Sequence, residues 1–335
     1  MNQTPQPVGR SEESKLPVVA VVGPTASGKT ALGVAIARRF GGEVVSADSM
    51  QVYTGMDIAS AKPTPEEMEG VPHHLIDFLP PEASFSVADY VELAGRTIGE
   101  IAGRGRLPIL VGGTGLYVTS LLDNIRFAPE KIDPAVSRRL RAQLEAEGGA
   151  RLLERLRAVD PDSAARLYPA DHKRILRALE VYEGTGRTMS WHRERSRQTP
   201  SPYAPFIIGI RFADRGKLYA RIDRRVDQML AAGLVEEARQ AYEHPPAGGA
   251  AQAIGHKELA PYFAGEIVLE EAVENLKRET RRYAKRQLTW FGRDPRIHWL
   301  EGDDRTVGEL TEMAAALLRE AGFEEDARTT KGGTM

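Results

Sequence analysis

The stretch Gly23-Pro24-Thr25-Ala26-Ser27-Gly28-Lys29-Thr30 matches G-x-x-x-x-G-K-[ST], the phosphate-binding P-loop pattern. A β-branched run, Val18 to Val22, leads into it, and a helical pattern from Lys29 to Phe40 leads out. Glycines let the backbone curl so that successive N–H groups face one anion. The helix N-terminus adds partial positive charge and Lys29 a full one. Thr30 offers a hydroxyl suited to Mg²⁺. The pattern therefore specifies a diphosphate or triphosphate, but neither which one nor its fate.

Working outward, Gly41-Gly42 ends the helix and Glu43 to Ala47 reads as a short buried strand. Asp48-Ser49-Met50-Gln51-Val52-Tyr53 follows it. Ligands of α/β sheets sit outside the carboxyl ends of the strands, which aims Asp48 at the P-loop phosphates. A carboxylate there suits a Mg²⁺ ligand, a general base, or simply a turn or helix cap. Leu107 to Val111 is another strand, ending in a second backbone-rich turn, Gly112-Gly113-Thr114-Gly115-Leu116-Tyr117. Between them lie a helix from Ser86 to about Gly103 and the pair His73-His74. Adjacent histidines cannot share one side of an element, so one buried and one exposed ring is expected, not a two-histidine metal site.

From about Ala128 the texture changes to helices rich in Arg, Leu and Ala: Asp133 to Glu147, Ala150 to Val159 and Pro169 to Gly184. Pro200, Pro202 and Pro205 punctuate the end, and Phe206 to Phe212 returns to the sheet. The fold class is α/β, a P-loop NTPase-like parallel sheet core flanked by helices, with an all-helical insertion. Expected boundaries are a disordered leader over 1–15, a core of 16–127 plus 202–322, an insertion over 128–201 and a disordered tail over 323–335. Leu218 to Tyr242 reads as one amphipathic helix, with Arg221, Arg224 and Arg225 off its apolar stripe. In the helix Glu271 to Phe291, Arg278, Arg281, Arg282 and Lys285 share a side, and Glu279 is the sole acid after Leu276. An unbalanced cationic stripe repels itself unless an anion meets it, so Arg281 and Arg282 are expected to touch RNA.

Composition bounds the function. The 335 residues are 41% apolar and 27% charged, with a net charge of −2, so any nucleic-acid surface is local. No apolar run reaches membrane-spanning length, and residues 1–15 lack the apolar centre of a secretory signal. The absence of cysteine excludes disulfides, zinc ribbons and thiol catalysis, and fits a cytoplasmic protein.

Three chemistries fit. A P-loop holding ATP, with Mg²⁺ and an Arg-rich lid, describes a small-molecule kinase. A nucleotide-switched RNA-binding protein needs the same loop without catalysis. An allylic diphosphate in the loop would need positive charge around its leaving group, from Lys29, Mg²⁺ and arginines, and no nucleophile. Its acceptor, an exocyclic amine of an unstacked nucleobase, would lose a proton to a carboxylate such as Asp48.

Several stretches together resemble the bacterial tRNA dimethylallyltransferases: Gly23 to Thr30, Asp48 to Pro63 (DSMQVYTGMDIASAKP), His73 to Asp77 (HHLID) and Gly112 to Tyr117 (GGTGLY). Further on come Arg174 to Gly186, Arg225 to Glu236, Gln252 to Glu258 (QAIGHKE) and Tyr283 to Trp290 (YAKRQLTW). The resemblance implies transfer of a dimethylallyl group from dimethylallyl diphosphate to N6 of the adenine 3′ of the anticodon, in tRNAs reading codons that begin with U. Mg²⁺ assists. It implies that Gly23, Pro24, Thr25, Ala26, Ser27, Gly28, Lys29 and Thr30 hold the diphosphate together with Arg225. Thr25 lies near the reacting amine and Asp48 is the base. By the same resemblance, tRNA meets Asp48, Ser49, Met50 and Gln51, then Thr114, and Lys173, Arg174, Ile175, Leu176 and Arg177. It also meets Gln252, Ala253, Ile254, Gly255, His256 and Lys257, and the insertion swings over the anticodon stem-loop. Arg138 stands beside the position of a family arginine that Ser137 occupies here, and Ala170 and His256 also depart from the family pattern. A cytoplasmic monomer with no membrane partner is expected.

Overall fold

A computed structural model describes residues 15–125, 127 and 132–327. The expected leader, apart from Lys15, and the expected tail from residue 328 onward lie outside these residues. Six parallel strands form one sheet in the order β3-β2-β4-β1-β5-β6. They are β1 Leu16–Val22, β2 Gly42–Ser46, β3 His73–His74, β4 Leu107–Gly112, β5 Tyr203–Arg211 and β6 Ile297–Glu301. β1 lies between β4 and β5, with Val19 opposite both Ile109 and Phe206. The chain leaves β1 for the strands on one side and later returns to the other, so the end of β1 is the switch point where such sheets bind ligands.

The central strands read as continuous apolar runs because both faces are covered. Val18 to Val22 are fully buried. The helix Lys29–Phe40 lies so close to the sheet that a Cβ on Gly33 would sit 2.5 Å from a methyl of Val111. Leu32, Ile36 and Phe40 from that helix join Leu310, Ala314 and Leu318 of the helix Val307–Glu320 in the core. Each such aliphatic side chain contributes about 1.5–3 kcal/mol.

Two compact units result: one runs to Val118 and resumes at Pro202, and the other is Thr119–Ser201. The second is all helical around Leu140, Leu152, Leu156, Ile175 and Leu179. Its long helix, Pro134–Val159, breaks at Gly148, whose φ of 78° interrupts the helical path. That break separates the two segments read from the sequence. The expected start at Pro169 moves to His172, because Asp171 engages the backbone N–H of Tyr168 first.

Other expectations change. Leu218 to Tyr242 is two helices, Arg215–Ala231 and Leu234–Glu243, because Gly233 takes a φ of 105° between them. The tail does not begin at residue 323. Phe323 packs on the core, Glu325 pairs with Arg39, and the Asp326 N–H donates to the Arg39 carbonyl. His73 and His74 are both half-buried on an edge strand. His73 faces a cavity, and His74 pairs with Glu43 at 2.7 Å.

Candidate functional site

At the carboxyl end of β1 the chain turns through Gly23 to Gly28 before entering the helix Lys29–Phe40. Ala26 is left-handed at φ 62° and Gly28 at φ 92°, the latter a conformation natural to a residue without Cβ. Gly28 caps the helix without a side-chain hydrogen bond, and no acid stands in the first turn. The leading N–H groups therefore keep both their donors and their field for an external anion. Ser27 adds a buried hydroxyl with no partner.

Two residues from distant segments hold this turn, and a third ties the neighbouring segments together. Gln287, in the helix Leu269–Phe291, accepts the Thr25 N–H at 2.8 Å and donates to the Gly113 carbonyl at 3.0 Å. Arg221 donates Nε to the Ala26 carbonyl at 2.9 Å. Thr114 accepts the Ser49 N–H at 3.0 Å and donates its own N–H to the Ala47 carbonyl, which joins the second glycine turn to the Asp48 segment. That approach requires Gly112, since a Cβ there would lie 2.2 Å from the Ala47 oxygen.

These segments wall a cavity of about 370 Å³. Thr25, Lys29, Thr30, Asp48 and Arg225 all line it, together with Ser49, Met50 and Gln51. The lining also includes the apolar Met229, Ile254, Leu276 and Ile76, and the polar Lys257, Gln252, Tyr283 and Arg286. The cavity thus offers both charged groups and apolar surface.

The electrostatics suit a phosphate. Burial and the nearby Arg225 pull Lys29 down to about 8, against an upward pull from Asp48. Burial also lowers Arg225, opposed by Asp48 and Glu67. Burial disfavours the charge on both cations, so an anion entering the cavity would relieve them. The Asp48 carboxylate accepts the Met50 N–H at 2.9 Å through Oδ1. Burial, and then the Asp48 charge, raise the Tyr283 phenol above its usual range, so it stays a neutral donor. Among the described residues no group of three or more His, Asp or Glu could hold a metal on its own. Among the oxygen-bearing side chains that line the cavity are the Thr30 hydroxyl and the Asp48 carboxylate. The Thr30 hydroxyl fits Mg²⁺, which keeps its waters and leans on substrate phosphates.

Other expected contacts fall elsewhere. His256 is 8% exposed, and its Nε2 meets Glu237 Oε1 at 2.9 Å. Glu237 also accepts the N–H groups of Asp57, Ile58 and Ala59. His256 therefore braces the loop before Lys62. Ala253 and Gly255 are buried beside it. Ile175 is fully buried in the core of the helical unit, so its side chain is closed to RNA, while Leu176 is partly buried. Lys173, Arg174 and Arg138 are exposed on that unit, and Arg177 is half-buried. The cationic stripe is partly balanced: Arg281 pairs with Asp223 at 2.5 Å and Arg282 with Glu279 at 2.6 Å, and the adjacent Lys277 pairs with Asp227 at 2.7 Å, while Arg278 meets only the neutral Asn275 side chain. Two of those acids come from a neighbouring helix, which the one-helix reading could not see. The roles of Gln287 and Arg221 were likewise missed. YAKRQLTW places Gln287 among core positions, and only its contacts reveal the staple.

A P-loop at the switch point of a parallel sheet, with cations and a carboxylate around one cavity, defines a class of proteins that grip phosphate esters. The chain belongs to the IPP transferase family, whose profile matches residues 51–294; an isopentenyl transferase profile matches 16–78. A tRNA dimethylallyltransferase of Geobacillus thermodenitrificans is 51% identical over 290 residues, spanning 86% of this chain and 91% of its own. That of Symbiobacterium thermophilum is 50% identical over 308 residues, 91% of this chain and 96% of its own. The crystal structure of a Bacillus halodurans tRNA isopentenylpyrophosphate transferase superposes with a TM-score of 0.67 at 45% identity, covering 91% of this chain and 98% of that one. A eukaryotic dimethylallyltransferase acting on tRNA superposes with a TM-score of 0.77 at 28% identity, covering 93% and 81%.

Proposed function

We propose that this protein transfers a dimethylallyl group from dimethylallyl diphosphate to N6 of the adenine 3′ of the anticodon, in tRNAs reading codons that begin with U. Diphosphate is released. The observation that carries the reading is the convergence of Thr25, Lys29, Asp48 and Arg225 on one cavity whose lining also includes Met229, Ile254 and Leu276. The P-loop N–H groups, Lys29 and Arg225 bind the diphosphate, and those apolar side chains receive the five-carbon chain. As the allylic carbon–oxygen bond breaks, its electron pair stays on the diphosphate oxygen, where the two cations stabilise the growing charge. The N6 lone pair forms the new carbon–nitrogen bond, and the N6 proton passes to Asp48. Tyr283 and the Thr25 hydroxyl orient the incoming base.

The Thr30 hydroxyl would hold Mg²⁺, which would supply further neutralisation of the diphosphate. The same reading makes the protein a tRNA-binding enzyme that works as a cytoplasmic monomer. Among the described residues no helix is long and apolar enough to cross a membrane.

The test mixes protein, tRNA, Mg²⁺ and dimethylallyl diphosphate and analyses the digested nucleosides. N6-(dimethylallyl)adenosine at the position after the anticodon is expected. Its absence, with phosphate transfer from ATP to a metabolite instead, would replace this reading by a kinase. RNA binding without product would replace it by a nucleotide switch.

A further inference from the structure

The helical unit carries a cationic cluster on the helix Met189–Arg197 and the turn before it. The helix Met189–Arg197 starts at Thr188, whose side chain accepts the Trp191 N–H at 3.1 Å. Its first turn is also fixed to the unit's core, because buried Asp160 accepts the Ser190 N–H at 3.1 Å and the Ser163 N–H at 3.1 Å. Trp191 is thus held by two anchors. The Arg187 guanidinium lies 5.0 Å from the centre of its ring and that of Arg195 5.3 Å. His192 meets the same ring edge-on at 4.9 Å.

Four arginines elsewhere on the unit already meet carboxylates. Arg139 and Arg155 both pair with Glu183, Arg151 pairs with Glu154, and Arg174 approaches Asp171. Arg187 and Arg195 have no carboxylate partner among the described residues. Burial, then the charges of Arg187 and Arg195, hold His192 below its ordinary range, so the ring is kept neutral beside them. Its Nε2 is buried without a hydrogen-bond partner. Two guanidiniums are therefore kept on one aromatic plate with their outward N–H groups unspent. Cation–π contact orients them but neutralises nothing. A ligand bearing adjacent anionic oxygens would satisfy both.

We propose that Arg187, Trp191 and Arg195 form a seat for the phosphodiester backbone of RNA on the helical unit. The inference rests on the RNA-modifying reading above, and it adds a contact that the motif comparison does not supply. The seat grips backbone, not base edges, so it adds affinity without sequence preference.

The test measures binding of an anticodon stem-loop RNA to the full chain as salt is raised, for wild type, for Arg187→Gln/Arg195→Gln and for Arg187→Lys/Arg195→Lys. Loss of two phosphate contacts should lower the slope of log affinity against log salt by about 1.4 and weaken binding about tenfold near physiological salt. The lysine pair should keep most of the slope. Turnover at saturating tRNA and KM for dimethylallyl diphosphate should stay at wild-type values in both. An unchanged slope in the glutamine pair, with wild-type prenylation intact, overturns the seat alone. Wild-type protein that neither binds the RNA nor prenylates it overturns the functional reading and the seat with it. Equal loss of slope in the lysine pair would assign these arginines to holding the helix and overturn the seat.

Discussion

Gln287 accepts the backbone N–H of Thr25 at 2.8 Å across 262 positions of sequence. The same side chain donates to Gly113 and is 4% exposed, so one amide sets the spacing of the two glycine turns. Gln287→Leu would leave the Thr25 N–H and the Gly113 carbonyl without their partner, at about 1–3 kcal/mol for each where water does not replace it. Thermal unfolding should move down by several degrees, and kcat should fall with the loosened Thr25. Gln287→Glu keeps an acceptor for Thr25 but loses the donor to Gly113, so it should fall between the two. Wild-type melting and turnover in Gln287→Leu would show the turns hold themselves.

Asp48 carries the proton in the proposed chemistry. Asp48→Asn should leave folding and binding of dimethylallyl diphosphate intact and lower turnover by roughly two orders of magnitude or more. Near-normal turnover would remove Asp48 from that role.

Lys29 carries a pH signature. Its folded value of about 8 lies below the 10.5 of an exposed lysine. Below about 8 the amine is charged both folded and unfolded, and the fold bears the full cost of burying it. Between about 8 and 10.5 the folded chain binds fewer protons than the unfolded one, so this group's contribution to stability rises with pH. Lys29→Met should therefore raise the melting temperature of the ligand-free protein at neutral pH while weakening diphosphate binding. In wild type the affinity for inorganic diphosphate should decline as pH climbs past about 8. A ligand-free melting point lowered by Lys29→Met would contradict the desolvation account.

Glu237 serves His256 and three backbone N–H groups at once. Burial opposes its ionisation, but those bonds win and lower its pKa. Its stabilisation is present above the unfolded value of 4.5 and is lost as pH falls through the lower folded value. Glu237→Gln should cost about 2 kcal/mol at pH 7 and less in acid, read by denaturant unfolding at the two pH values. A loss of the same size at both would assign the effect to packing.

Arg281 and Arg282 are already paired with Asp223 and Glu279. Arg281→Gln/Arg282→Gln should leave the salt dependence of RNA binding close to wild type. A clear fall in slope would return these two residues to the RNA surface.

The sequence was informative where one local physical rule suffices. Val18 to Val22 could only be a strand covered on both faces, and Gly23 to Thr30 carries its own backbone requirement. The break at Gly148 was legible from its flanking glycine, and four of the six strands from their apolar runs. β3 is two residues long, and Ile297–Glu301 alternates too weakly at a sheet edge to stand out. The helix Met189–Arg197 has too little apolar character to show a stripe; Trp191 leans on arginines instead. At the site, residues next to a motif were readable: Lys29, Thr30 and Asp48 line the cavity. Residues that act by touching a distant segment were not. Arg281 looked unpaired because Asp223 stands on another helix, and the bond between His256 and Glu237, 19 residues upstream, leaves no mark in the local pattern.

The Gln287 staple also orders events during synthesis. A ribosome has delivered the entire P-loop, Asp48 and the GGTG turn long before the helix Leu269–Phe291 emerges. Until then Thr25 and Gly113 lack the amide that joins them, and a nascent chain ending before residue 269 carries the motif without its finished shape. Gripping of diphosphate should thus begin late in translation, when the last quarter of the polypeptide folds back onto the first.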